Sequence, residues 1–136
     1  MITQTATTSF KSDILTGGQA LTTDTIKLAL YTGSANLTAD TTAYTTTNEV
    51  VGTGYTAGGK TCTNVTVNTL NGVAYVSFDN LTWTSSAFTC RGALIYNASK
   101  SNKSIAVLNF GSDKTCSSTF TVTLPANTYT SAIIRV

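Results

Sequence analysis

Two nearly continuous apolar runs, Ala93-Leu-Ile-Tyr96 and Ile105-Ala-Val-Leu108, face each other across a short polar segment of Ser, Asn and Lys. Both are β-prone, and the pattern predicts a hairpin over Phe88–Asp113. Neither run alternates cleanly between apolar and polar. A strand that is apolar on both faces has to lie between two layers or beneath another subunit. This hairpin is therefore expected at the middle of the fold, with the remaining segments arranged around it.

Those segments are mostly short strands. Ile26, Leu28 and Leu30 alternate with Lys27, Ala29 and Tyr31, which is the clearest half-buried strand pattern in the chain. Lys60–Asn68 alternates again and is expected as one strand. Leu70-Asn71-Gly72 predicts a tight hairpin turn, because Asn-Gly readily takes positive φ at both positions, and Val73–Phe78 is the returning strand. Leu81 and Trp83 share one face of the next strand, so Trp83 is expected in the core. Phe120, Val122 and Leu124 point inward from a later strand, and the chain ends on another, Ala132–Val136. Thr makes up about a fifth of the sequence, and its β-branched side chain favours extended backbone.

Eight or nine such strands predict an all-β, single-domain β-sandwich or jelly-roll-like fold over residues 10–136. One short N-terminal helix is added, with Phe10, Ile14 and Leu15 at helical spacing, Ser9 as N-cap and Gly17 as C-cap. Residues 1–9 are polar and are expected as an arm that is flexible or ordered only against a partner. The stretch from Asn36 to Gly59 is long for a connection, and Tyr44 and Tyr55 are expected to anchor it.

Reactive chemistry is hard to place on this chain. It contains no histidine, which removes Ser-His-Asp and Cys-His nucleophile activation and every His-ligated metal site. The six carboxylates are dispersed, and Asp24, Asp79 and Asp113 fall where Asp braces turns. Gly52-Thr-Gly-Tyr-Thr-Ala57 imitates a dinucleotide fingerprint, but another Gly-Gly and a strand follow it in place of a helix. No catalytic, cofactor-binding or metal-binding residues are expected.

Cys62, Cys90 and Cys116 are an odd number without metal-knuckle spacing, and they are expected as small buried hydrophobes. Charged residues are only 10% of the chain and the net charge is +2, with no basic cluster. That excludes a nucleic-acid partner. No run approaches 18 apolar residues and no basic segment precedes an apolar one at the start, so neither a membrane span nor a signal peptide is expected. A hydroxyl-rich, weakly charged surface suits packing against neighbours, because a hydroxyl is cheaper to bury than an unpaired charge. The candidate subunit-interface residues are Tyr44, Glu49, Tyr55 and Arg91.

Several blocks together resemble a family of small tailed-bacteriophage virion structural proteins. They are Phe10-Lys-Ser-Asp-Ile-Leu15, Thr23-Asp-Thr-Ile-Lys-Leu-Ala-Leu-Tyr-Thr32 and Thr41-Thr-Ala-Tyr-Thr-Thr-Thr-Asn-Glu-Val50. With them go Gly52-Thr-Gly-Tyr-Thr-Ala-Gly-Gly59, Ala87-Phe-Thr-Cys-Arg-Gly-Ala-Leu-Ile-Tyr-Asn97 and Ala106-Val-Leu-Asn-Phe-Gly111. The resemblance implies a virion component without catalytic residues. It implies a capsid decoration or cement protein that binds neighbouring major capsid subunits and copies of itself, as a dimer or trimer, after assembly in the host bacterial cytoplasm. The alternative within the class is a tail, tail-tube or head–tail connector component. A carbohydrate-binding module, with Trp83, Tyr44 or Tyr55 stacking on sugars, is an alternative from another class.

Overall fold

The computed structural model describes every residue from Met1 to Val136. The chain is mainly β, with one short helix and several antiparallel sheets, none closed into a barrel. Its elements run β1 (Thr5–Ala6), α1 (Thr8–Thr16), β2 (Ile26–Tyr31), β3 (Lys60–Thr61), β4 (Thr66–Leu70) and β5 (Val73–Ser77). They continue with β6 (Leu81–Thr84), β7 (Phe88–Asn97), β8 (Lys103–Cys116), β9 (Thr119–Val122) and β10 (Ile134–Arg135). The largest sheet has the order β1-β8-β7-β2-β3, a second is β10-β5-β4, and β6 pairs with β9.

The β7–β8 hairpin is central, as the double-faced runs require. Leu94 pairs with Val107 and Ile95 with Ala106. One face of the large sheet presents Ile26, Leu28, Leu30, Ala93, Ile95 and Ile105 to the main core. That core is shared with Phe10 of the helix and with Val76, Leu81, Trp83, Val122 and Ile134 of the smaller sheets. The opposite face presents Ala29, Tyr31, Leu94, Tyr96 and Val107, which pack under Ile2, Ala35 and Leu37. Hence β2, whose outer face reads as mixed in sequence, is buried on both sides: Ala29 and Tyr31 are fully inaccessible.

Four local expectations are corrected. Residues 1–9 do not form a free arm: Thr5 and Ala6 pair with Val107 and Ala106, and Ile2 bridges to Leu37 and is buried. The apolar strip left by β8 and β7 gives this polar segment a surface to dock on. That docking also moves the helix N-cap from Ser9 to Thr7. Thr7 Oγ1 contacts Ser104 Oγ at 2.8 Å and is held extended, so the helix starts beside it. Leu15, expected inward, is exposed, while Gly17 closes the helix in the left-handed conformation as predicted. Finally, Lys60–Asn68 is not one strand. Asn64 turns the chain at φ 54° with its amide 2.6 Å from Asp79 Oδ2, and the chain passes from the large sheet to the second one.

Asn71 and Gly72 take φ 51° and 78°, the two positive values a two-residue hairpin demands, and Leu70 pairs with Val73 across them. Trp83 is 2% exposed and in the core, as its alternation with Leu81 predicts. All three cysteines are free thiols. Cys62 and Cys90 are buried, and burial pushes both up to about 12.

Candidate functional site

Three of the four candidate interface residues come together at one point, and they face inward. The segment Asn36–Gly59 lies along the free edge of β2 and over the second core. Where its backbone can reach β2, it completes the ladder: Thr32 N donates to Asn48 O at 3.0 Å, and Val50 N donates to Leu30 O at 3.0 Å. Beyond Val50 the chain leaves the edge. The next amide, Leu30 N, then donates to the phenol oxygen of Tyr55 at 2.9 Å. A side chain thus fills the position that a backbone carbonyl would hold in a regular strand, which answers the need to pair a buried amide.

Glu49 fixes that phenol. Its Oε1 accepts from Tyr55 Oη at 2.6 Å and from Gly58 N at 2.7 Å, and its Oε2 accepts from Tyr44 Oη at 2.6 Å. The residue is 6% exposed. It takes part in none of the chain's three ion pairs. Three donors, two of them phenols, therefore do what a counter-ion would do for a buried carboxylate. Two more tyrosines extend the cluster: Tyr31 Oη donates to Thr45 O at 2.6 Å and Tyr96 Oη to Gly58 O at 2.7 Å.

The cluster ties the two cores together. Tyr44 stacks on Tyr96 with ring centroids 4.7 Å apart, on the second-core side. Tyr55 packs against Trp83 and Phe88 on the main-core side. Beyond them, Gly59 lies directly against β2: a Cβ there would sit 1.8 Å from Leu28 O, at a φ of 76°. Only glycine lets the loop return to the edge, where Lys60 and Thr61 pair with Leu28 and Lys27.

The electrostatics follow from burial. Desolvation, followed by the Glu49 hydrogen bond, pushes Tyr44 and Tyr55 well above the ordinary phenol range. Desolvation also raises Tyr31, and takes Tyr96 up to about 12. All four phenols are neutral donors at physiological pH, and the carboxylate's oxygens are occupied by Tyr44, Tyr55 and Gly58 N. The arrangement holds a loop and presents no free base or nucleophile. No three side chains of the metal-ligating types converge anywhere in the chain.

Arg91 lies apart, on the surface at the β7–β8 irregularity. Its Nη1 is 3.5 Å from Asp113 Oδ1, and Nη2 donates to Gly111 O at 3.3 Å. Both side chains are substantially exposed, so this pair contributes little to stability. Of the other turn carboxylates, Asp24 braces the backbone as its sequence context suggests, while Asp79 Oδ2 accepts from the side chains of Thr63 and Asn64. Asp24 accepts from Ala20 N and from the buried Asn97 Nδ2, the latter bond holding its carboxyl below the usual range.

Sequence reasoning missed the barest part of the surface. All five residues of β4 are exposed, and β4 is the outer strand of its sheet. A signal for it exists: no charged residue occurs from Thr61 to Phe78. No protein-family model, curated protein or solved structure matches this chain.

Proposed function

We propose that this protein is a structural component of a tailed-bacteriophage virion, a capsid decoration or cement protein that binds and stabilises neighbouring major capsid subunits. In this reading its sheets form a sandwich of jelly-roll-like character that assembles as a small symmetric oligomer on the particle. The observation that carries the physical side of the reading is the division of polar groups in the fold. Its one buried carboxylate with phenol partners is spent on bracing a loop, while the outside offers hydroxyls, amides and an unpaired strand. Such a surface suits many weak, repeated contacts, whose effect multiplies when several copies attach together. The resemblance of the sequence blocks supplies the virion context. A tail, tail-tube or head–tail connector role uses the same features. A sugar-binding role loses its leading aromatic, since Trp83 is buried in the core.

The test is to quantify the protein in purified particles by mass spectrometry. Hundreds of copies per particle are the expected result and fit decoration of a capsid lattice. Tens of copies, or a ring in electron micrographs, would move the assignment to the tail or connector. Complete absence from particles would overturn the virion reading.

A further inference from the structure

The unpaired edge of β4 has the properties of a self-pairing strand. Ala74 N donates to Val136 O, and Val136 N to Ala74 O, so Ala74 turns its backbone towards β10. By the alternation of antiparallel ladders, Val73, Tyr75 and Ser77 turn theirs towards β4, where they meet Leu70, Asn68 and Thr66. The N–H and C=O groups of Val67 and Thr69 consequently point outward, along an edge with no strand beyond it.

Every other edge in the molecule is blunted in a familiar way. β1, β3 and β10 are two residues long, and the last two carry Lys60 and Arg135. The outer half of β8 carries Asp113 and Lys114 and is broken by Gly111 at φ 83°. β6 and β9 have four residues each; β6 buries Leu81 and Trp83, and the slot beside β9 is lined by Lys114. Short length, charge and irregularity are what keep strand edges from pairing with other chains. β4, Thr-Val-Asn-Thr-Leu, has none of them: five regular residues, no charge, no proline and no bulge.

We propose that β4 pairs antiparallel with β4 of a second copy of this chain, about a two-fold axis passing beside Asn68. The occupant follows from the strand's own symmetry. Centring on Asn68 places Val67 opposite Thr69 of the second copy twice, so the two outward-pointing residues exchange backbone hydrogen bonds in both directions. The β-branched Val and Thr side chains meet across the strands, a favoured cross-strand pairing. Because the edge is uncharged, the two-fold axis brings no like charges together, which is the common obstacle to an isologous contact. The three-stranded sheets then join into one of six strands, and the partly exposed Val67 lies at the seam.

This pairing names one partner within the virion reading, but it is tested on the isolated protein. The mass of the full chain is measured by light scattering. Wild type is expected at twice the 14.2 kDa chain mass. Asn68→Lys and Asn68→Glu each place like charges face to face at the axis, on an exposed position that the monomer does not need. Each alone is expected at the single-chain mass, and an equimolar mixture is expected to return to the doubled mass. A wild-type monomer, a three-chain mass, a dimer that survives both substitutions, or a mixture that stays monomeric would each overturn the proposal. A solution monomer would leave the virion assignment standing, whereas a dimer absent from particles would sink only that assignment.

Discussion

Two strand edges in this molecule start from similar material and end differently. Both lie beside Thr-rich, weakly charged sequence. The edge of β2 is covered by the loop 36–59, which supplies backbone partners where it can and the Tyr55 phenol where it cannot. The edge of β4 is covered by nothing within the chain. Composition does not separate them, because threonines and asparagines dominate both. What separates them is a buried carboxylate that gathers two phenols and an amide, together with a glycine that permits contact at the backbone of Leu28. The β2 edge is closed by a few specific side chains, and the lack of any such group leaves β4 open.

The largest expected effect comes from removing the group that closes the first edge. Glu49→Ala deletes the acceptor of three hydrogen bonds at once and strands Tyr44, Tyr55 and Gly58 N without it. Unfolding by urea is expected to show a loss of about 3–5 kcal/mol, the scale of breaking a buried, charge-assisted network from one side. A loss below about 1 kcal/mol would mean that the loop is held by its backbone bonds alone.

The phenols sharpen the comparison, because they do unequal work. Tyr55 Oη both donates to Glu49 and accepts from Leu30 N, while Tyr44 Oη donates to Glu49 only. Tyr55→Phe is expected to cost about 2 kcal/mol and Tyr44→Phe about 1 kcal/mol. Hydrogen exchange distinguishes them further: the Leu30 amide loses protection in Tyr55→Phe and keeps it in Tyr44→Phe. Equal losses in both variants would show that the Tyr55–Leu30 bond adds nothing to the ladder.

Raising the pH is a gentler way to open the same edge. Tyr31, Tyr44, Tyr55 and Tyr96 all titrate higher in the folded chain than the ordinary value of 10.0, Tyr96 at about 12. Between the unfolded and folded values the native state holds more protons than the unfolded state, so stability falls as pH rises. Their contribution is fully present below pH 10 and is lost progressively above it, through the folded value of about 12 for Tyr96. The NMR ring resonances of these four tyrosines, followed separately from those of Tyr75 and Tyr129, should report phenolate only together with loss of structure in that window. Phenolate forming at these four well before any unfolding would place them in water and contradict the buried cluster.

How much of this was legible beforehand depends on the range of the interaction. The hairpin at Phe88–Asp113, the Asn71-Gly72 turn and the inward Trp83 are set by neighbours in sequence, and the structure places them as their patterns predict. The helix cap and the docking of residues 1–7 depend on Ser104 and Ile105, nearly a hundred residues away, and local pattern cannot register that. Tyr44, Glu49 and Tyr55 were recognisable as a group in the loop, but whether they turn outward or inward depends on β2 offering Leu30 N without a backbone partner. The bare edge was marked by the charge-free run from Thr61 to Phe78, which alternation alone read as an ordinary strand.

The smallest expected effect is at the open edge, and its smallness is informative. Proline removes an N–H, so its cost depends on where that N–H points. At Thr69 the N–H points away from β5, and the residue is exposed. Thr69→Pro should therefore lower the stability of the single chain by about 1 kcal/mol or less, near the cost of an ordinary exposed substitution. One residue earlier, the Asn68 N–H lies in the ladder to Tyr75, and a proline there is expected to cost about 3 kcal/mol. If the two prolines cost the same in the monomer, the assignment of inward and outward amides on β4 is wrong. If Thr69→Pro is as mild as expected and also abolishes self-association, the outward amide has a use that the isolated fold does not account for. On β2 the equivalent outward amide, that of Leu30, is met by Tyr55 within the chain; on β4 the partner has to come from outside it.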